Sequence, residues 1–209
     1  MDGDLAEPEE GVTIVLVHGL WMTGREMRVL GGRLEGSGFR VRYFRYRSWR
    51  GGLAQAADAL REHVERTDAG PVHLVGHSLG GIVIAKMLED GRFSRPGRVA
   101  MLGSPMGGSA AARIVSGSRV GRWLVGGVIR EGIVEYAPKW AGGRDLLVVA
   151  GDIPLGTGLL LGLDRPHDGV IRVEETRVEG ARTVTVRASH VGLLLSRKVA
   201  ALLADYFRP

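Results

Sequence analysis

The chain has 209 residues, 44% hydrophobic and 24% charged, enough apolar material for one substantial domain and too much for a disordered chain. It contains no cysteine, which excludes disulfide scaffolds and thiolate chemistry. A net charge of +5, carried almost wholly by arginine, raises nucleic acid or anionic lipid as partners, while 33 glycines, roughly twice the usual share, require many tight turns.

Residues 1–11, MDGDLAEPEEG, read as a polar N-terminal tail without the basic and apolar regions of a secretory leader, so a cytoplasmic location is expected. No apolar run approaches the length of a membrane span. VTIVLVHG, residues 12–19, is a continuous β-branched run that predicts a strand buried on both faces, as in a parallel sheet. MRVLGGRLEGSG then predicts a helix with Met27, Leu30 and Leu34 on one face, closed by glycines.

FRVRYFRY predicts a second strand. The arginine and aromatic run from Arg40 to Arg50 falls on that alternating pattern, where outward arginines are expected, and this argues against a nucleic-acid partner. LAQAADALREHVERT places Leu53, Ala56, Ala57, Leu60 and Val64 at helical spacing. VHLV is a third strand and LGGIVIAKMLED the helix after it. Val99–Leu102, Leu146–Ala150 and Thr183–Val186 predict three more strands, and LLLSRKVAALLADYF one closing helix.

Strands alternating with helices predict an α/β fold: a mainly parallel, doubly wound sheet of about six strands with helices on both faces, in a single domain over residues 1–209. Two long connections interrupt the rhythm, residues 104–144 and 151–181. Both leave the C-terminal ends of strands, the side on which open α/β sheets bind ligands.

Chemistry concentrates in PVHLVGHSLGGIVIA, residues 71–85. Gly76-His77-Ser78-Leu79-Gly80 is a G-x-S-x-G sequence with a strand before it and a helix after it. In that context the serine stands in a sharp turn clear of the sheet, as a nucleophile would, and the helix N-terminus favours developing negative charge. The competing reading is a glycine turn whose serine caps the helix.

A serine nucleophile needs a base oriented by a third group, in the chain order Ser, acid, His. His190 follows the last predicted strand. His63 lies mid-helix, His73 starts a strand, His77 adjoins the serine, and His167 in the acid connection is the reserve. Asp152, Asp164 and Asp168 all lie beyond the fifth strand. Reach favours Asp152, whereas Asp168 stands in an Asp-Gly turn anchored by Val170 and Ile171. The oxyanion of acyl transfer would take the N–H of Leu79 and one from the loop after the first strand, Leu20 or Trp21. His18 reads as holding that loop by a hydrogen bond rather than as a second base.

VLVHGLWMTG, VHLVGHSLGG, GDIPLG, HDGVIRVEET and ASHVGLLLS together resemble an α/β-hydrolase of the lipase and esterase type, over residues 12–207. The resemblance implies Ser78 as nucleophile, His190 as base, Asp168 as acid and Leu20 as the second oxyanion donor. It implies an acyl-enzyme mechanism with no cofactor and no metal. Six strands leave no room for the antiparallel pair that opens larger members, and no large cap is evident.

The expected activity is carboxylic ester hydrolysis on a small ester or lipid-like acyl substrate. Thioester, amide or other acyl hydrolysis, or a non-catalytic hydrolase-fold binding module, are the alternatives. Residues 109–140 form a candidate small lid whose bland reading is packing on the sheet edge. Trp21, Trp123 and Leu159 are the expected substrate contacts, and the apolar run at 154–163 suits a greasy substrate or weak association with a membrane surface.

Overall fold

The computed structural model describes residues 12–49, 51–67, 70–117, 140, 143–156 and 162–209. Six strands form one sheet in the order β2-β1-β3-β4-β5-β6, and every neighbouring pair is parallel. The strands are β1 (Thr13–Val17), β2 (Arg40–Phe44), β3 (Val72–His77), β4 (Val99–Leu102), β5 (Leu146–Gly151) and β6 (Arg182–Val186).

The helices among the described residues are α1 (Arg28–Glu35), α2 (Leu53–Glu65), α3 (Leu79–Leu88), α4 (Ala110–Ser116), α5 (Gly192–Leu195) and α6 (Arg197–Phe207). No helix among the described residues is long and apolar enough to cross a membrane.

Burial explains why the runs became strands. β1, β3, β4 and β5 are buried at every position, because helices cover both faces of the central sheet. On one face Val15, Val17, Leu74 and Val148 pack against Leu60 and Val64 of α2 and Ile82 and Val83 of α3. On the other, Ile14, Leu16, Val75 and Val149 pack against Leu30 and Leu34 of α1 and Leu203 and Phe207 of α6. On edge strand β2, Val41 and Tyr43 face the α1 side, while Arg40, Arg42 and Phe44 share the other face, where Phe44 is buried against the core and the two arginines are exposed at the open edge of the sheet.

Two expectations change. The third strand runs two residues beyond Val75 to His77, which carries it to the serine itself. The single closing helix is instead two, α5 and α6. Ser196 leaves helical geometry at ψ 122°, and its hydroxyl accepts the Val199 N–H at 3.3 Å, so a serine at an N-cap starts a new helix.

The strand order reverses at β1, whose chain successor β2 lies on one side while β3 lies on the other. The crevice at the C-terminal ends of β1 and β3 is therefore the topological switch point, where such sheets receive ligands. Val17 is in register with Gly76, and His77 with Leu102, so the residues after β1, β3 and β4 meet at one place.

Candidate active site

Ser78 stands at that place. It has φ 53° and ψ −123°, one of two described non-glycine residues with positive φ. Such a conformation costs about 1–3 kcal/mol and persists only where the surroundings impose it. Here β3 passes into α3 so closely that a Cβ on Gly76 would collide with the Gly81 backbone, and one on Gly80 with the carbonyl oxygens of Val17 and His18. Both glycines of the motif are thus required by strand–helix packing. Ser78 precedes the first residue of α3 but its side chain makes no capping bond, so the cap reading does not describe it.

His190 and Asp168 come from separate connections and meet over the end of β4. His190 Nδ1 lies 2.6 Å from Asp168 Oδ2, and both side chains are buried. A methyl group on Gly103, the residue after β4, would lie 3.0 Å from Asp168 Oδ2 and 3.1 Å from two His190 ring atoms. Ser78 N–H donates to the Leu102 carbonyl at 2.9 Å, which puts the serine at the same strand end.

Asp168 is held from every side. Its Oδ1 accepts the N–H groups of Val170 (2.9 Å) and Ile171 (2.8 Å), its own N–H donates to the Ile171 carbonyl, and its carbonyl accepts the His190 N–H at 2.8 Å. Burial on its own would push this carboxyl up. The adjacent His190, its hydrogen bond and the two loop N–H groups outweigh that together and hold it below the ordinary carboxylate value. The group is therefore an anion at neutral pH, and its partner nitrogen, Nδ1, carries the proton. Nε2 is then the free base of the ring.

The other acidic candidates stand elsewhere. The Asp152 N–H pairs with the Val186 carbonyl, while its carboxylate Oδ1 is buried with no partner among the described residues. Asp164 is exposed, 3.6 Å from Arg172. His167, the reserve base, is buried and accepts the Gly169 N–H at 3.0 Å, so it shapes the Asp168 turn.

The loop after β1 lies against the serine: a Cβ at Gly19 would sit 3.0 Å from Ser78 Cβ. His18 shapes this loop. Its Nδ1 donates to the Gly19 carbonyl at 2.8 Å, its Nε2 accepts the Tyr46 N–H at 3.4 Å, and its ring stacks on Tyr46 at 4.6 Å. Burial lowers its pKa below the ordinary imidazole value. Of the two amides considered in this loop, that of Trp21 donates to Ser48 Oγ at 3.0 Å. The Leu20 N–H has no acceptor among the described residues, and Leu20 packs partly buried on the core. Leu79, the first residue of α3, has an amide with no partner within the helix. Leu79 follows the serine directly, and Leu20 follows Gly19, whose Cβ position adjoins Ser78.

The Trp21 side chain is 62% exposed beside this crevice. Trp123 and Leu159 lie outside the described residues, as does most of the candidate lid; its described start, α4, has Ile114 exposed and Val115 packed on the core. Sequence reasoning gave His77 no role. The structure buries it completely and sets its Nε2 3.0 Å from the His190 carbonyl oxygen. The signal was strand alternation: a strand running on to residue 77 puts His77 on the Val75 face, toward the helices that follow His190.

A family model described as the alpha/beta hydrolase family matches residues 14–206. No functionally curated protein matches the sequence. Among solved structures, a Bacillus licheniformis lipase, BlEst2, in its mature form superposes with a TM-score of 0.80 at 17% identity, over 98% of this chain and 94% of that one. The metagenomic carboxyl esterase MGS0156 gives 0.69 at 16% identity, over 94% and 74%. The thioesterase domain NocB, in covalent complex with a fluorophosphonate nocardicin G analogue, gives 0.62 at 17% identity, over 93% and 92%. At these identities the likeness is one of fold.

Proposed function

The chain belongs to the alpha/beta hydrolase family, and on that premise we propose that it is a serine hydrolase that cleaves carboxylic esters through Ser78, His190 and Asp168. The observation that carries this reading is the 2.6 Å Asp168–His190 contact beside a serine held at φ 53°. A buried, ionised carboxylate fixes the proton on His190 Nδ1 and leaves Nε2 to act as base.

His190 Nε2 takes the Ser78 hydroxyl proton as Oγ bonds to the ester carbonyl carbon. The carbonyl electron pair moves to oxygen, and the N–H groups of Leu79 and Leu20 hold that oxyanion. Collapse breaks the bond to the alcohol, which leaves with the proton from His190. Water, deprotonated by the same ring, then releases the acid and restores Ser78. These steps call on no cofactor or metal. Trp21 lines the substrate side, with Trp123 and Leu159 assigned from sequence alone. The substrate class is a small or lipid-like ester; contact with a membrane surface and a cytoplasmic location remain parts of the same proposal.

Thioester cleavage is the second reading, favoured by the likeness to a thioesterase domain; the same groups would perform it. A non-catalytic binding module would leave the buried Asp168–His190 pair without a task.

The test is hydrolysis of p-nitrophenyl esters of increasing acyl length, with Ser78→Ala as control and fluorophosphonate labelling in parallel. Serine-dependent cleavage peaking at short acyl chains indicates a confined pocket, and at long chains an acyl channel. Labelling without cleavage of any p-nitrophenyl ester moves the reading to another acyl substrate, thioesters first. Absence of both labelling and cleavage overturns the serine hydrolase.

A further inference from the structure

We propose that His77 is a positioning residue, which by donating its Nε2–H to the His190 carbonyl fixes the backbone of the base and so aims its ring at Ser78. The inference rests on His190 being the base.

The acceptor is a carbonyl oxygen, so the 3.0 Å contact at His77 Nε2 requires the proton to be on that nitrogen. The His190 backbone is then gripped at both ends: its N–H by the Asp168 carbonyl at 2.8 Å, its carbonyl by His77. The first bond ties the base to the loop of its acid. The second ties it to the strand that presents the nucleophile, because His77 is the last residue of β3 and Ser78 is the next. Among the described residues, no other side-chain hydrogen bond links the base loop to the serine turn.

The surroundings require His77 to stay neutral. Its ring centroid is 4.7 Å from that of His190, and the ring that must become an imidazolium on taking the serine proton is His190. His77 Nδ1 is buried with no partner among the described residues, and the space a side chain at Gly19 would fill lies 3.2 Å away. A proton on Nδ1 would therefore be an unpaired buried donor bearing charge. The titratable groups acting on the ring are His190, Asp168 and His18. Burial first, then His190, holds its pKa down to about 3. A neutral ring with one fixed donor is a geometric clamp that does not compete with His190 for the proton.

Two amides separate positioning from mere space filling. In His77→Gln the amide nitrogen reaches the place of Nε2. In His77→Asn it reaches only that of Nδ1 and cannot contact the His190 carbonyl. On p-nitrophenyl butyrate, His77→Gln is expected to keep kcat within about threefold of the parent. His77→Asn is expected to lose about 10–100-fold in kcat with KM little changed, as a sub-ångström to ångström misplacement of a catalytic group does. Fluorophosphonate labelling of Ser78 should slow in parallel.

Equal kcat in the two variants, high or low, overturns the proposal. So does a loss confined to KM. Nitrogen-15 NMR of the parent protein supplies a readout that needs neither activity nor a folded variant. His77 should show a protonated Nε2 in slow exchange and a bare Nδ1, and the opposite tautomer overturns the proposal. If Ser78→Ala retains hydrolysis, the proposed function fails, whereas the tautomer still decides whether the clamp exists.

Discussion

Asp168→Asn is the substitution whose outcome the geometry fixes most tightly. Two loop N–H groups, at 2.9 and 2.8 Å, demand an acceptor at the Oδ1 position. The amide oxygen of asparagine must take that position, which forces its NH2 to the Oδ2 position, 2.6 Å from His190 Nδ1. Two donors cannot face each other, so His190 moves its proton from Nδ1 to Nε2. Nε2 is the nitrogen that must receive the serine proton. A wrong tautomer of this kind lowers kcat by about 10³–10⁴-fold, or about 4–5.5 kcal/mol at 1.36 kcal/mol per tenfold. Stability should fall by only about 1–3 kcal/mol, since all three side-chain bonds keep a partner and lose only the assistance of the carboxylate charge. Initial rates on p-nitrophenyl acetate and urea unfolding measure the two quantities. Asp152→Asn in the same assay should stay within about threefold of the parent. The reasoning fails if Asp168→Asn keeps activity within tenfold, or if Asp152→Asn falls as far.

Ser78→Ala should abolish fluorophosphonate labelling and reduce ester turnover by at least about 10³-fold while the circular dichroism stays native. Ser78→Gly should be equally inactive yet more stable than Ser78→Ala by about 1 kcal/mol in urea unfolding, because glycine accepts φ 53° without strain; equal stabilities would remove the strain from the argument. Gly80→Ala drives a methyl into the backbone of the β1 end and should cost about 1–3 kcal/mol or more together with Ser78 reactivity. A fully active, stable Gly80→Ala protein would contradict that packing. For pH, the folded His77 resists protonation until about 3, while the unfolded chain takes that proton near 6.5. The unfolded state thus binds more protons between those values, so stability is full above about 6.5 and is lost as pH falls toward 3, at up to 1.36 kcal/mol per unit from this group. Urea midpoints at pH 7, 5 and 4 should fall less steeply in His77→Gln than in the parent, and parallel slopes would refute the assignment.

The fold was legible because its causes are local and repeated. Uninterrupted apolar runs such as Thr13–Val17 become strands buried on two faces, and the spacing of Leu53, Ala56, Leu60 and Val64 becomes the inward face of α2. The break at Ser196 was missed because the apolar period continues through it, and only the serine cap marks the division. Trp123 and Leu159 fall outside the described residues, so the candidate lid and acyl wall rest on sequence alone.

By itself the sequence determined the alternation of strands and helices, the turn that carries Ser78, and a histidine after the last strand, each written in a few adjacent residues. Only the tertiary structure decided which of three carboxylates meets His190. Along the chain Asp152 is nearest the strand end, yet the turn closed by Ile171 brings Asp168 back over β4. Likewise Ser48, 27 residues from Trp21, takes that residue's amide, whereas the Leu20 N–H has no acceptor among the described residues. His77 met the His190 carbonyl across 113 residues. The physical reason is common to all three: hydrogen-bond partners separated by tens of residues are chosen by how strand ends align in the sheet, and spacing along the chain carries no record of that alignment.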